Sequence, residues 1–305
     1  MKIAITGATG FVGKELVKKL AVNHQIVVLT RNVDKARSVF PSNLQSNLEY
    51  VSYTPKQSGD WQKQLDGCDG VVNLAGAPIA ERWNPSYKQE IFDSRQLGTR
   101  NIVEGIESCE QKPSFLINAS AIGFYGTSET DTYTEISPAG DDFLAKVCVA
   151  WEEEAQKVKE ADVRLVIFRL GIVLGDGGAL AKMIPPFKIF AGGPIGEGKQ
   201  WFSWVHIDDL VNLLVKAIAD SSIEGTFNAT APYPVTMTQL CSTLGEVMNR
   251  PSWLPVPGFA LELLLGDGAK VVLEGQKVLP EKTMETMGYN FQYADLKPAL
   301  KDIVD

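Results

Sequence analysis

The chain has 305 residues, 45% of them hydrophobic and 22% charged, with a formal net charge of −8. That length suffices for one large domain or two small ones around a sizeable core. The acidic balance excludes sequence-independent nucleic-acid binding, which needs a basic face, and no apolar run approaches the roughly 18 residues of a membrane-spanning helix. The cysteines Cys68, Cys109, Cys148 and Cys241 form no CxxC pair, and the only histidines are His24 and His206. A zinc site is therefore not expected, and the N-terminal segment does not read as a secretion signal. These features predict a reduced, metal-free cytoplasmic protein, either a monomer or a homodimer.

Strands are expected at Lys2–Thr6, Gln25–Thr30, Gly70–Leu74, Ser114–Ser120 and Arg164–Arg169. Helical periodicity falls between them, at Gly13–Leu20, Tyr87–Ser108 and Phe143–Ala161. Apolar strands alternating with helices predict an α/β fold, a doubly wound parallel sheet of Rossmann type covered on both faces. After Gly175 glycine and proline become dense, which predicts loops and short elements up to a helix at His206–Ala219. A strand near Thr226–Ala229 and a helix at Met237–Met248 follow. The expected division is residues 1–175 plus 205–231 as a dinucleotide-binding domain. Residues 176–204 plus 232–305 then form a small α/β substrate domain.

Thr6-Gly7-Ala8-Thr9-Gly10-Phe11-Val12-Gly13 follows the first strand directly. Gly7 suits a tight bend, Gly10 a close approach of backbone N–H groups to a pyrophosphate, and Gly13 close helix–strand packing. Thr9, Phe11 and Val12 complete the turn, and the helix it opens presents its positive end to phosphate. The second strand ends in Thr30-Arg31-Asn32, with no acid before Asp34. A carboxylate here would select the ribose hydroxyl of NAD, whereas Arg31 can pair with a 2′-phosphate. The expected cofactor is NADP(H).

These residues, with Asn73-Leu74-Ala75-Gly76 and Val205-His206-Ile207-Asp208-Asp209, resemble the extended short-chain dehydrogenase/reductase superfamily. Arg169–Gly178, Gly192–Leu210, Phe227–Thr236 and Leu273–Pro280 resemble one subgroup of it, the YfcH-like epimerase-family proteins. Members of that group are also labelled nucleoside-diphosphate-sugar epimerases or SulA-like proteins. The resemblance covers essentially the whole chain. It implies that Leu74, Ala75, Gly76 and Val173 flank the cofactor, and that Ser120, at a strand end, stands where the superfamily has its active-site Ser or Thr. The superfamily's Tyr-x3-Lys pair is missing: alignment on Trp151-Glu152 puts Leu144 at the tyrosine position and Cys148 at the lysine position. Lys146 lies about 200° round a helix from the required face, and Tyr293-x3-Lys297 falls far outside the catalytic helix.

Tyr125 is then the nearest candidate acid, the alternative being a packing or substrate-contact role. Arg95 replaces the superfamily's structural Asn. It is expected to meet a phosphate, a substrate carboxylate or a nearby acid such as Glu90, and Arg95 and Glu90 are both carried as cofactor-side. His206 is expected to anchor the second domain. Trp201, Phe202 and Trp204 are expected to wall a pocket, with Arg82-Trp83 opposite. Two functions follow: an NADP(H)-dependent oxidoreductase or epimerase acting on a small metabolite, nucleotide sugars included, or a catalytically silent NADP(H)-dependent sensor.

Overall fold

The computed structural model describes residues 1–304. Seven parallel strands form the central sheet: β1 (Lys2–Thr6), β2 (Gln25–Thr30), β3 (Leu48–Ser52), β4 (Gly70–Asn73), β5 (Phe115–Ala121), β6 (Arg164–Leu170) and β7 (Gly225–Ala229). Their spatial order is β7-β6-β5-β4-β1-β2-β3. The chain winds outward from β1 to β3, then returns to the other side of β1 and winds through β4 to β7. The direction reverses between β1 and β4, the switch point at which doubly wound folds carry their ligand crevice beyond the carboxyl ends of the strands.

Helices cover both faces, so the inner strands are apolar along their whole length. On one face α1 (Phe11–Leu20) and α6 (Ile207–Ala219) bury Leu16, Val17, Leu210 and Leu214 against Ile3, Ile5 and Val28. On the other, α3 (Pro85–Glu107) and α4 (Phe143–Gln156) bury Ile102, Ile106 and Ala155 against Val27, Leu116 and Ile167. A separate core joins Leu174, Phe202 and Trp204 to Leu180 and Phe187 of α5 (Gly178–Lys188) and Leu240 and Leu244 of α7 (Met237–Met248). Leu296 and Leu300 of the final helix, Leu296–Val304, close it. The short strands Ile172–Gly175 and Trp204–His206 pair in parallel and carry this core back to the main sheet. Among the described residues no helix is long and apolar enough to cross a membrane.

Two expectations need correction. Strand β3 was not anticipated, because LEYVS carries Glu49 and alternates instead of running apolar; Glu49 pairs with Lys2 at 3.3 Å on the sheet surface. The glycine- and proline-rich stretch after Gly175 was expected to hold loops and short elements, yet the 11-residue α5 forms there with Pro185 and Pro186 inside it. Proline disfavours a helix interior. Burial of Leu180 and Phe187 in the second core favours the helix and prevails.

Candidate functional site

The glycine turn is shaped by backbone crowding. Gly7 has φ +66°, and a Cβ there would lie 2.8 Å from the Leu74 carbonyl carbon; a Cβ on Gly13 would lie 2.2 Å from the Gly7 oxygen. The first demand brings β1 against the end of β4, and the second seats α1 on the turn. Gly10 is the N-cap of α1, so no side chain caps the helix, and its first turn holds no acidic residue. The opening N–H groups are thus free to face an anion. The ring of Phe11 packs where side chains on Gly175, Gly177 and Gly178 would stand, which closes the loop after Ile172–Gly175 over the turn. Val12 and Val173 are half-buried beside this contact.

At the end of β2, the Thr30 hydroxyl accepts from the Asn32 N–H at 3.2 Å, and Asn32 caps α2 (Val33–Val39) by accepting from the Lys35 N–H at 2.9 Å. Arg31 stands between them, exposed. The backbone N–H of Tyr53 donates to the Thr30 oxygen at 2.9 Å, bringing the segment after β3 alongside. Below the crevice lies a polar floor that sequence reasoning missed. The Thr6 hydroxyl donates to Asn73 Oδ1 at 2.6 Å, and Asn73 Nδ2 donates to Thr99 at 2.9 Å and to Asn118 at 2.7 Å. These buried groups tie the ends of β1, β4 and β5 to α3. The Ala75 N–H donates to the Thr6 hydroxyl at 3.3 Å, which fixes the Leu74–Gly76 segment over them.

Arg95 reaches from α3 toward that segment. Its Nη1 donates to the Ile91 oxygen at 3.1 Å and its Nη2 to the Ala77 oxygen at 3.0 Å. A Cβ on Gly76 would lie 2.9 Å from its guanidinium carbon. Glu90 does not meet it: Glu90 pairs with Lys56 at 2.6 Å on the surface, because a separation of five residues turns the two side chains about 140° apart round α3. Leu144 packs among Trp83, Ile91 and Val147, and burial pushes the Cys148 thiol up to about 12. Positions 144 and 148 are therefore apolar and neutral. Lys146 points outward from α4 and is exposed.

Both candidate proton donors are committed inside the fold. The Ser120 hydroxyl donates to Glu152 Oε1 at 2.6 Å. Glu152 also accepts from Arg169 Nε at 2.9 Å and Nη2 at 2.8 Å, a buried bidentate pair. Arg169 Nη1 donates to the Tyr125 hydroxyl at 3.0 Å, and that hydroxyl donates to Asn228 Oδ1 at 2.7 Å. The Arg169 guanidinium lies 3.3 Å from the Phe124 ring centroid. Tyr125 is 2% exposed, and burial raises its pKa. Glu152 and Arg169 escaped the sequence reading. The signal was present: Arg169 sits in the buried strand RLVIFRL, and a buried charge requires a partner.

The aromatic wall does not assemble as expected, because Phe202 and Trp204 are buried in the second core. Arg82 and Trp83 instead line a cleft of about 570 Å³ with Lys88, Phe92, Phe143 and Asp267. His206 caps α6, its Nδ1 accepting from the Asp208 N–H at 3.2 Å, and packs against Tyr293 with ring centroids 3.9 Å apart and tilted by 35°. Tyr293 donates to Asp302 and Lys297 pairs with Glu246, so that tyrosine–lysine spacing carries no catalytic pair.

A sequence model of the NAD dependent epimerase/dehydratase family matches residues 3–229, and one of a domain of unknown function, DUF1731, matches residues 256–303. The chloroplastic epimerase family protein SDR39U1 homolog of Arabidopsis thaliana is 50% identical over 100% of this chain and 87% of its own. Epimerase family protein YfhF of Bacillus subtilis is 40% identical over 100% and 98%. The crystal structure of human epimerase family protein SDR39U1 with NADPH superposes with a TM-score of 0.87 at 33% identity, covering 99% of each chain. UDP-glucuronic acid 4-epimerase from Bacillus cereus shares the fold, with a TM-score of 0.80 at 19% identity over 99% of this chain and 95% of that one. With the family model matching residues 3–229 and a relative 50% identical over the full chain, the chain belongs to the NAD-dependent epimerase/dehydratase family.

Proposed function

We propose that the crevice holds NADP(H) and that the protein exchanges hydride between it and a small hydroxylated or carbonyl metabolite, nucleotide sugars included. The observation that carries the cofactor reading is the pairing of an uncapped α1 N-terminus with an exposed arginine at the end of β2. Phosphates fit the first through its free N–H groups, and a 2′-phosphate fits Arg31. Human SDR39U1, 33% identical to this chain, was crystallised with NADPH, which supports the same assignment. In this reading Gly7, Thr9, Gly10, Phe11, Val12 and Gly13 hold the pyrophosphate. Thr30, Arg31 and Asn32 hold the adenosine phosphate, while Leu74, Ala75, Gly76 and Val173 border the remainder. Hydride chemistry is supplied by the nicotinamide; the chain's share is to position the substrate against it.

The proton that accompanies hydride transfer then passes through water or substrate, because Ser120 and Tyr125 each donate to a buried acceptor. That same network supports a second reading, an NADP(H)-dependent sensor without turnover. Incubation with NADPH and a panel of carbonyl compounds and nucleotide sugars, followed by nicotinamide absorbance, separates the two. Oxidation above the protein-free control supports the enzyme. Tight NADPH binding with no oxidation across the panel supports the sensor.

A further inference from the structure

Arg95 and Trp151 bring donors together beside the end of β4, and among the described residues neither has an acid as partner. The Arg95 guanidinium stacks on the Trp151 ring at 5.1 Å and donates only to two backbone carbonyls. No carboxylate pairs with it among the described residues. Trp151 is 5% exposed, and its indole N–H has no hydrogen-bond partner. The neighbouring Cys148 remains a neutral thiol at physiological pH. A largely enclosed cation without a counter-charge and a buried orphan N–H are each unfavourable alone. An anion placed against both relieves both.

We propose that Arg95 seats a carboxylate on the small-molecule ligand of this crevice, with the Trp151 indole flanking it. The guanidinium fork fits a carboxylate or a phosphate, and one uncompensated positive charge balances the single negative charge of a carboxylate but not the two of a phosphate dianion. The position fits, since Arg95 closes on Gly76 at the end of β4, inside the switch-point crevice. This rests on the reading of the crevice as a cofactor and substrate site, and it makes Arg95 a substrate residue instead of a cofactor residue.

The test titrates sodium formate, neutral formamide and inorganic phosphate into the protein, with and without NADPH, and follows thermal unfolding and NADPH affinity. Formate is expected to raise the unfolding temperature of the wild type, with formamide inert and phosphate weaker than formate. Arg95→Gln is expected to lower formate affinity by about tenfold or more while NADPH affinity changes by less than about threefold. Arg95→Lys, which keeps the charge, should retain part of the response. The proposal is overturned if formate acts no differently from formamide on the wild type, or if phosphate acts more strongly. A tenfold loss of NADPH affinity in Arg95→Gln would also overturn it. Failure of the wild type to bind NADPH counts against the cofactor reading alone, because the formate response is read in its absence too.

Discussion

The buried Glu152–Arg169 pair is the residue-scale feature on which most depends. Its two charges are nearly sealed from water, so each needs the other. Glu152→Gln should destabilise the fold by about 3–5 kcal/mol, because it leaves Arg169 uncompensated. Urea denaturation measures this, and a loss below about 1 kcal/mol would show that Arg169 finds another partner. The four cysteines make a second prediction. Burial pushes Cys68 and Cys109 up to about 11, and Cys148 and Cys241 to about 12. An unfolded thiol ionises near 9.0, so above that pH the unfolded chain binds fewer protons than the folded one. The thiol contribution to stability is complete below about pH 9 and declines as pH rises toward 12. The denaturation midpoint should fall accordingly, and replacing Cys148 with Ala should flatten the fall; an unchanged slope would contradict the assignment.

At the scale of elements, the turn between β1 and α1 sets the crevice. A methyl at Gly13 would meet the Gly7 carbonyl at 2.2 Å, and backbone cannot yield as a flexible side chain can. Gly13→Ala should cost about 1–3 kcal/mol of stability and lower NADPH affinity together. An unaltered unfolding midpoint would mean that α1 shifts freely. This element was legible in the sequence because glycine spacing and an apolar strand are local signals. The parallel sheet was legible for the same reason: continuous runs such as QIVVLT need no distant partner to be recognised. Strand β3 and helix α5 were not, since Glu49 breaks the apolar run of one and two prolines break the helical signal of the other. The Ser120–Glu152–Arg169 chain was invisible for a different reason. Its partners lie 32 and 17 residues apart, and only the folded sheet brings them together. Glu90 illustrates the converse: nearness to Arg95 in sequence suggested a pair that the helix turns apart.

Across the whole molecule, hydrogen bonds tie the Rossmann-type sheet to the C-terminal segments. Asn228 links them: its side chain accepts from Tyr125 and donates to the Leu279 oxygen at 2.9 Å, while its backbone N–H donates to Glu135 at 3.1 Å. Glu135 in turn accepts from the Lys282 and Thr283 N–H groups. The middle of the C-terminal match, residues 279–283, is therefore fastened to the same network that holds Tyr125. The proposed site keeps a phosphate cradle while its tyrosine and lysine positions are leucine and a neutral cysteine. Cofactor recognition is thus the central claim, and fluorescence titration of wild type and Arg31→Ala with NADPH and NADH tests it most directly. The wild type is expected to prefer NADPH, and Arg31→Ala to lose about ten- to a hundredfold in NADPH affinity with little change toward NADH. Equal affinity of the wild type for both, or equal loss of both in the variant, would contradict it.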